Sequence, residues 1–201
     1  MTALRSDNYS LRRREVVAAL LRDRDDLLVV SGLGAPSWDV TAAGDHPFTF
    51  PLWGAMGGAV MVGLGLALAQ PKRRVLVITG DGEMLMGLGS LATVALKQPR
   101  NLAIAVLDNE RYGETGMQAT HTAGPTDLAA VAAAAGIPEA ASAYDQDALD
   151  EALPRLRGGE GPVFVAIKVR AEEPPLVLPP KDGAHLKERF RRALLGPGAE
   201  D

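Results

Sequence analysis

The sequence predicts an α/β protein with three layers, α/β/α, built on a mainly parallel sheet. Short apolar runs such as those at 27–31, 75–78 and 102–107 have the composition of strands that are buried on both faces. Stretches with helical periodicity separate most of these runs. An alternation of strands and helices favours a parallel sheet that helices cover on both sides.

The predicted elements follow from the apolar periodicity and from the capping residues. Helices are predicted at 10–23, 53–70, 83–97, 126–135 and 145–157, with a short basic helix at 185–195. Strands are predicted at 27–31, 73–79, 101–107, 140–143 and 163–169, and residues 35–50 are interpreted as a loop with a helical turn near Trp38. Ser10, Thr126 and Asp145 are the predicted N-caps. The arginines at 12–14 are interpreted as a solvated helix face.

Length and composition fit one globular domain with a tail. The chain has 201 residues, of which 47% are hydrophobic and 23% are charged. We expect a domain over residues 1–170 and an arm with a short helix over 171–201. The absence of cysteine excludes disulfides and Cys-ligated zinc or iron–sulfur clusters held by this chain.

Charge and hydropathy give no reason to expect nucleic-acid or membrane binding. The net charge is -4. The first residues lack the apolar core of a signal peptide. The uncharged apolar stretch at 53–69 is interpreted as a buried helix, so the sequence predicts a cytoplasmic protein.

Polar residues follow two predicted strands at the point where each strand ends. Gly80, Asp81 and Gly82 come after the run at 75–78, and Asn109 comes after the run at 102–107. In an open α/β sheet the carboxyl ends of the strands form the edge where ligands bind. The two oxygen donors, together with glycine backbone that a ligand can approach closely, suit a divalent cation bridged to a phosphate group.

This pattern resembles the thiamine diphosphate and magnesium motif, a Gly-Asp-Gly followed by Asn-Asn. Here 26 residues separate Gly82 from Asn109, and Asp108 replaces the first asparagine of the pair. The resemblance implies that Mg²⁺ is held by Asp81, by Asn109 and by the backbone carbonyl of Arg111. Phosphate oxygens and a water would complete the octahedral shell that Mg²⁺ requires.

A second segment, Gly54-Ala55-Met56-Gly57, resembles one found in thiamine-dependent decarboxylases and acetolactate synthases. There a bulky apolar side chain wedges between the two cofactor rings and forces the cofactor into a V shape. The resemblance implies that Met56 is this wedge and that backbone at Gly54 and Met56 binds the aminopyrimidine. The alternative is that Met56 is a core methionine.

Further cofactor contacts are expected at the ends of other strands. Contacts with the cofactor are assigned to Ser31, Gly32, Gly34, Gly80, Gly82, Glu83, Tyr112 and Gly113. For Glu83 only the backbone N–H is needed, at the N-terminus of the helix that follows, where the dipole favours an anion. The Glu83 side chain is interpreted as an ordinary first-turn acid.

The loop at 112–123 resembles a segment of sulfopyruvate and phosphonopyruvate decarboxylases, and also of the β subunit of 2-oxoacid:ferredoxin oxidoreductases. The resemblance implies that this loop faces substrate. Together with Met56, Glu114 and His121 of this loop are the candidate catalytic residues, and His121 is suited to relay protons near neutral pH.

Thiamine catalysis of this kind also needs a glutamate against the aminopyrimidine, and in this superfamily it comes from a separate pyrimidine-binding domain. No second such domain fits within this chain. The resemblance, which covers about 27–169, therefore implies the β subunit of a lyase that decarboxylates a 2-oxo acid related to sulfopyruvate or phosphonopyruvate. A separate α subunit, in an α2β2 or higher assembly, would supply the glutamate.

Three alternatives stay open. An acetolactate-synthase-like carboligase shares the cofactor and differs in the fate of the enamine. A 2-oxoacid oxidoreductase β-type subunit has a similar loop, although the lack of cysteines argues against it. A non-catalytic, cofactor-binding regulatory subunit is the alternative of another class, and the retention of Asp81, Asn109 and Met56 argues against that one.

Overall fold

The computed structural model describes residues 5–196 and residue 199, and it has an α/β fold built on a six-stranded parallel sheet. The strands are β1 (Leu28–Ser31), β2 (Thr49–Pro51), β3 (Val75–Gly80), β4 (Leu102–Asp108), β5 (Arg111–Tyr112), β6 (Gln118–Ala119), β7 (Glu139–Ala143) and β8 (Val163–Lys168). The helices are α1 (Arg13–Leu21), α2 (Ala35–Ala42), α3 (Ala59–Ala69), α4 (Asp81–Met86), α5 (Ser90–Lys97), α6 (Leu128–Ala135), α7 (Gln146–Gly158) and α8 (Gly183–Leu195).

The strand order of the main sheet is β2-β1-β3-β4-β8-β7, and β5 pairs with β6 in a separate antiparallel hairpin. Strands β3 and β4 lie side by side at the centre, with Gly80 opposite Leu107 in the register. This pairing brings the residues that follow both strands to the same sheet edge.

Successive residues of the central strands enter two different cores because strand side chains alternate between faces. On one face, Leu76 and Ile78 of β3 pack in a cluster with residues of α1, α2 and α7. On the other face, Val75 and Val77 pack with residues of α3, α5 and α6. Helices therefore cover both faces, and the predicted three-layer α/β/α class is confirmed.

Helix α3 lies closer to the sheet than an ordinary side chain would allow. A Cβ atom on Gly63 would lie 2.2 Å from Val77 Cγ2. The glycine at this position therefore permits the close packing of α3 against the sheet.

Several predicted boundaries are wrong. The predicted helix at 83–97 is two helices, α4 and α5, and Gly87 follows the first of them. A Cβ atom on Gly87 would lie 2.5 Å from the carbonyl oxygen of Gly57, so the two loops pack closely there. The segment at 53–58 is a loop, so α3 begins at Ala59. The region at 35–50 holds a full helix and an edge strand. Ser10 caps nothing, because α1 begins at Arg13.

The C-terminal segment leaves the sheet after β8. Residues 171–182 have no regular structure, and Asp182 then caps α8 through the backbone N–H groups of Ala184 and His185. Phe190 of α8 packs edge-on against Phe50 of β2, with ring centroids 5.7 Å apart. Residues 1–4 of the predicted domain, and residues 197, 198, 200 and 201 of the predicted arm, lie outside the described residues.

Among the residues that the structure describes, none of the helices has the length and apolar character needed to cross a bilayer.

Candidate active site

Asp81 and Asn109 meet at the carboxyl edge of the sheet, as their positions after neighbouring strands predict. Asp81 begins α4 directly after β3, and Asn109 follows β4. Both line a cavity of about 140 Å³ at this edge. The lining residues are Arg13, Leu33, Ala35, Pro36, Met56, Gly80, Asp81, Gly82, Glu83, Leu107, Asn109, Arg111, Tyr112, Gly113, Glu114 and Thr115.

The Asp81 carboxyl group is buried and held by two threonines. Its Oδ2 atom accepts a hydrogen bond from Thr120 Oγ1 at 2.6 Å and lies 3.2 Å from Thr122 Oγ1. Burial, followed by the nearby charge of Asp108, raises the pKa of Asp81 from its ordinary 3.8 to about 7. A cation in the cavity would offset both effects, since it favours the charged carboxylate.

Asp108, the residue that departs from the Asn-Asn motif, lies behind Asp81 in an ion pair. Lys168 Nζ donates to its Oδ2 atom at 2.7 Å, and Thr122 Oγ1 donates to its Oδ1 atom at 2.7 Å. Lys168 is the register partner of Asp108 on β8. Thr122 therefore connects the carboxyl groups of Asp81 and Asp108.

Glu110, which the sequence does not single out, is fully buried behind the same cluster. Its Oε1 atom accepts from Arg5 Nη2 at 2.9 Å and from Tyr9 Oη at 2.8 Å, and it lies 3.7 Å from Lys168 Nζ. The N-terminal segment is thus anchored directly behind Asn109. No local pattern marks Glu110, because its partners are about a hundred residues away in sequence.

The turn after β4 fixes the Asn109 amide. Asn109 Oδ1 accepts a hydrogen bond from the Arg111 backbone N–H at 3.0 Å, and Glu110 between them has a positive φ of 60°. A carbonyl oxygen has a second lone pair that can bind a cation. The Arg111 side chain is engaged elsewhere. Its guanidinium donates to Asp7 Oδ1 at 2.8 Å and to the Met117 carbonyl at 3.3 Å.

Met56 and Tyr112 both approach Gly82 in the first turn of α4. A Cβ atom on Gly82 would lie 2.7 Å from Tyr112 Cε1 and 3.9 Å from Met56 Cε, so only glycine permits this approach. Met56 is 38% exposed and lines the cavity, so it is not a core methionine. Gly54 precedes it in the same loop but is not part of the cavity lining.

The Glu83 side chain is buried and fixes two loops of the site. Its Oε2 atom accepts from Leu33 N at 2.9 Å and from Thr79 Oγ1 at 2.8 Å, and its Oε1 atom accepts from Ala59 N at 3.4 Å. Burial raises the pKa of Glu83. Interpreting this side chain as an ordinary first-turn acid was wrong. The carboxylate ties the loop after β1, and the start of α3 that follows the Met56 loop, to the end of β3.

None of the three predicted contact residues near β1 lines the cavity. The Ser31 hydroxyl is fully buried and bonded to Ser37 Oγ at 2.9 Å, away from the cavity lining. Gly32 faces the Glu83 carboxylate, which would lie 1.7 Å from a Cβ atom there. Gly34 has a positive φ of 68° and faces the Glu114 side chain.

The two candidate catalytic residues of the loop at 112–123 differ in their position relative to the cavity. Glu114 lines the cavity, and its Oε1 atom accepts from Trp38 Nε1 at 3.2 Å. His121 lies beside the cavity lining rather than in it, with its Nδ1 atom 3.4 Å from the Tyr112 hydroxyl.

Arg13 was missed as a site residue. It is 7% exposed and lines the cavity, so describing residues 12–14 as a solvated face is wrong for this position. Arg13 forms an ion pair with the fully buried Asp39 of α2, and Arg14 binds the same carboxylate at 3.1 Å. The helical spacing indicates the burial of Arg13, because Arg13 precedes the buried Val16 and Val17 by three and four positions and so shares their helix face.

The comparisons with known proteins define the class. The family described as thiamine pyrophosphate enzyme, C-terminal TPP binding domain, matches residues 36–167. The chain belongs to this family of thiamine diphosphate-dependent enzymes.

Among curated proteins, the chain is 38% identical to sulfopyruvate decarboxylase subunit beta of Methanothermobacter thermautotrophicus. That match covers 92% of this chain and 97% of the relative. The chain is also 40% identical to phosphonopyruvate decarboxylase of Streptomyces viridochromogenes. That match covers 87% of this chain but only 44% of the longer relative. Benzoylformate decarboxylase from Polynucleobacter necessarius has the same fold, with a TM-score of 0.68 at 20% identity, over 88% of this chain and 36% of that one.

Proposed function

We propose that the chain is the β subunit of a two-subunit, thiamine diphosphate-dependent decarboxylase that converts a 2-oxo acid into an aldehyde. The observation that carries this proposal is the end-to-end match with a sulfopyruvate decarboxylase β subunit, which leaves only 3% of that relative uncovered. The phosphonopyruvate decarboxylase of Streptomyces viridochromogenes is more than twice as long as its matched part, which covers 44% of it. A separate α subunit would correspond to the unmatched part.

The residues at the sheet edge fit a bound diphosphate with Mg²⁺. Asp81 and Asn109 supply the hard oxygen donors that Mg²⁺ prefers, and the Arg111 carbonyl lies in the same turn. Within residues 5–196 and 199, the structure contains no cluster of three or more His, Cys, Asp or Glu side chains able to hold a metal ion. Phosphate oxygens and a water would complete the shell, so metal and cofactor are expected to bind together.

The backbone at the start of α4 is suited to the anionic end of the cofactor. Gly82 and Glu83 lie in the first turn of this helix, where N–H groups have no helical partner. Thr120 and Thr122 fix one oxygen of Asp81, so the carboxylate is oriented before a cation arrives. The cavity of about 140 Å³ is smaller than most small-molecule sites, which supports a site that a second subunit completes.

When bound, the cofactor supplies a thiazolium that accepts the electron pair released as the substrate carboxylate leaves as CO₂. Met56 would support the V-shaped conformation of the cofactor from the cavity wall. Tyr112 would shield the first turn of α4, which carries Asp81, from water. Glu114 and His121, on the loop that covers the cavity, are the groups of this chain proposed to hold or move protons at the substrate. The α subunit would supply the glutamate that faces the aminopyrimidine.

The proposal is tested by assaying the chain together with its partner subunit for CO₂ and aldehyde release. Sulfopyruvate, phosphonopyruvate and pyruvate are compared with thiamine diphosphate and Mg²⁺ present, and an Asp81→Ala variant is the control. We expect turnover of a 2-oxo acid bearing a sulfonate or phosphonate, and none from the variant. An unmodified complex that consumes none of the three acids would contradict the proposal.

A further inference from the structure

Arg13 presents unused hydrogen-bond donors to the candidate active site. Its side chain is only 8% exposed, and the residue lines the cavity that also contains Asp81 and Asn109. Its Nε atom donates to Asp39 Oδ2. Within the part of the chain that the structure describes, Nε is the one nitrogen of this guanidinium with a hydrogen-bond partner, so the two terminal nitrogens are available to a ligand.

The charges around Asp39 leave a positive excess at this wall. Arg13 and Arg14 share the single, fully buried carboxylate of Asp39, so one unit of positive charge is not neutralised locally. Helix α2, which carries Asp39, begins at Ala35, and both Ala35 and Pro36 line the same cavity. The positive end of the α2 dipole therefore adds to the charge of Arg13.

The other charged side chains that line the cavity have partners or assigned roles. Asp81 is the candidate cation ligand, and Glu83 is bonded to two loops. Glu114 accepts from the Trp38 indole, and the Arg111 guanidinium is bonded to Asp7 and to Met117. Arg13 is thus the cavity-lining cation whose fork of N–H groups is available to a ligand.

We propose that Arg13, together with the N-terminus of α2, binds an oxyanion in the active site. This inference rests on the proposed function, which offers two such groups: the diphosphate of the cofactor and the sulfonate or phosphonate of the substrate. Both are tetrahedral oxyanions, which a guanidinium binds through two parallel N–H groups. Asp39 acts through Arg13, because it orients the guanidinium from behind without touching the ligand.

The test compares Arg13→Gln with Arg14→Gln in the complex of this chain with its partner subunit. The two variants are matched, because each removes one of the two guanidiniums from Asp39, but only Arg13 lines the cavity. Calorimetry measures the Kd of inorganic pyrophosphate and of thiamine diphosphate with Mg²⁺. Steady-state kinetics measure KM for sulfopyruvate and for pyruvate, which lacks the second acidic group.

Two results would support the inference and identify the anion. If Arg13 binds the diphosphate, Arg13→Gln raises the Kd of pyrophosphate and of thiamine diphosphate about 10- to 100-fold, as expected for a charge-assisted hydrogen bond. If it binds the substrate, those Kd values stay unchanged, and KM rises by a similar factor for sulfopyruvate but not for pyruvate. Arg14→Gln leaves all four values near those of the unmodified complex.

Unchanged values in Arg13→Gln, or equal changes in both variants, would overturn the inference. If Arg13→Gln does not fold, Arg13→Lys replaces it. Lysine keeps the charge beside Asp39 but loses the planar fork, so the same Kd or KM should still rise, by a smaller factor. A failure of the proposed function is distinguishable, because the unmodified complex would then neither bind thiamine diphosphate nor turn over a 2-oxo acid, whereas pyrophosphate binding would still report on Arg13.

Discussion

Lys168 Nζ lies 2.7 Å from Oδ2 of Asp108, and both side chains are buried. The ion pair explains how the chain tolerates an aspartate where the thiamine diphosphate motif has an asparagine. The lysine stands opposite the aspartate on the neighbouring strand, so it offsets the added negative charge, of which enough remains to raise the pKa of Asp81.

Lys168→Met is expected to destabilise the chain by about 3–5 kcal/mol, because it leaves the buried carboxylate of Asp108 unpaired. Adding Asp108→Asn should restore much of the loss, since the amide carries no charge. Urea unfolding of the single and double variants measures both effects. Lys187→Met is the control, because Lys187 lies in an exposed pair on α8 and its removal should have little effect. A double variant no more stable than Lys168→Met would contradict this account.

Asp81 should make the cofactor-free chain less stable as the pH rises. Its pKa is about 7 in the folded chain and near 3.8 in the unfolded one, so between about pH 4 and pH 7 only the folded chain keeps the proton. The contribution of Asp81 to stability therefore falls across this window and is constant above it.

Asp81→Asn removes this penalty and should raise the Tm of the cofactor-free chain at pH 8, by about 2–4 °C for each kcal/mol recovered. At pH 4 the variant and the unmodified chain should melt at similar temperatures. Thermal unfolding at several pH values measures the difference. A variant that is less stable at pH 8 would show that the buried carboxylate is not destabilising in the absence of a cation.

Glu83→Gln should weaken cofactor binding although Glu83 is not assigned a side-chain contact with the cofactor. Glutamine has one acceptor oxygen, so an NH₂ group would face one of the donors at Leu33, Thr79 or Ala59. We expect the Kd of thiamine diphosphate to rise about 10-fold, as for about 1.4 kcal/mol lost in loop positioning.

Asp147→Asn is the matched control for Glu83→Gln, because Asp147 is an exposed acid in the first turn of α7. Calorimetric titration of both variants gives the comparison. Equal affinities would mean that the hydrogen bonds of Glu83 do not position these loops for the cofactor.

Met56→Ala should lower kcat of the complete enzyme by about 10- to 100-fold, in line with the cost of a misplaced reacting group. Met56→Leu should keep most of the activity, because leucine is also bulky and apolar. Met61→Ala is the control, since Met61 is 43% exposed on α3 and does not line the cavity. Full activity of Met56→Ala would contradict the role of Met56 as a wedge.

The sequence predicted the layers of the fold and the meeting of Asp81 with Asn109. Both follow from local patterns, namely short apolar runs typical of strands that are buried on both faces, and polar residues at strand ends. The sequence did not predict the break at Gly87 or the late start of α3, because both depend on the packing of the loop around Gly57 against α4. Sequence patterns give poor estimates of boundaries that tertiary contacts fix.

The interactions that the sequence missed are contacts between residues distant in the chain. Glu83 binds Leu33, 50 residues away, and Lys168 binds Asp108, 60 residues away. No periodicity connects such pairs. The misreading of Arg13 has a different cause, since its neighbours in sequence are arginines that are more exposed, and a run of like charges usually faces solvent.

The central claim is that this chain holds one half of a thiamine diphosphate site, and calorimetric titration of the cofactor with Mg²⁺ tests it most directly. The titration is made into the chain alone, into the chain mixed with its partner subunit, and into the same mixture carrying Asp81→Ala. The account predicts weak binding to the chain alone, tight binding to the mixture and loss of binding in the variant. No binding to either preparation, or full binding and turnover by the isolated chain, would contradict it.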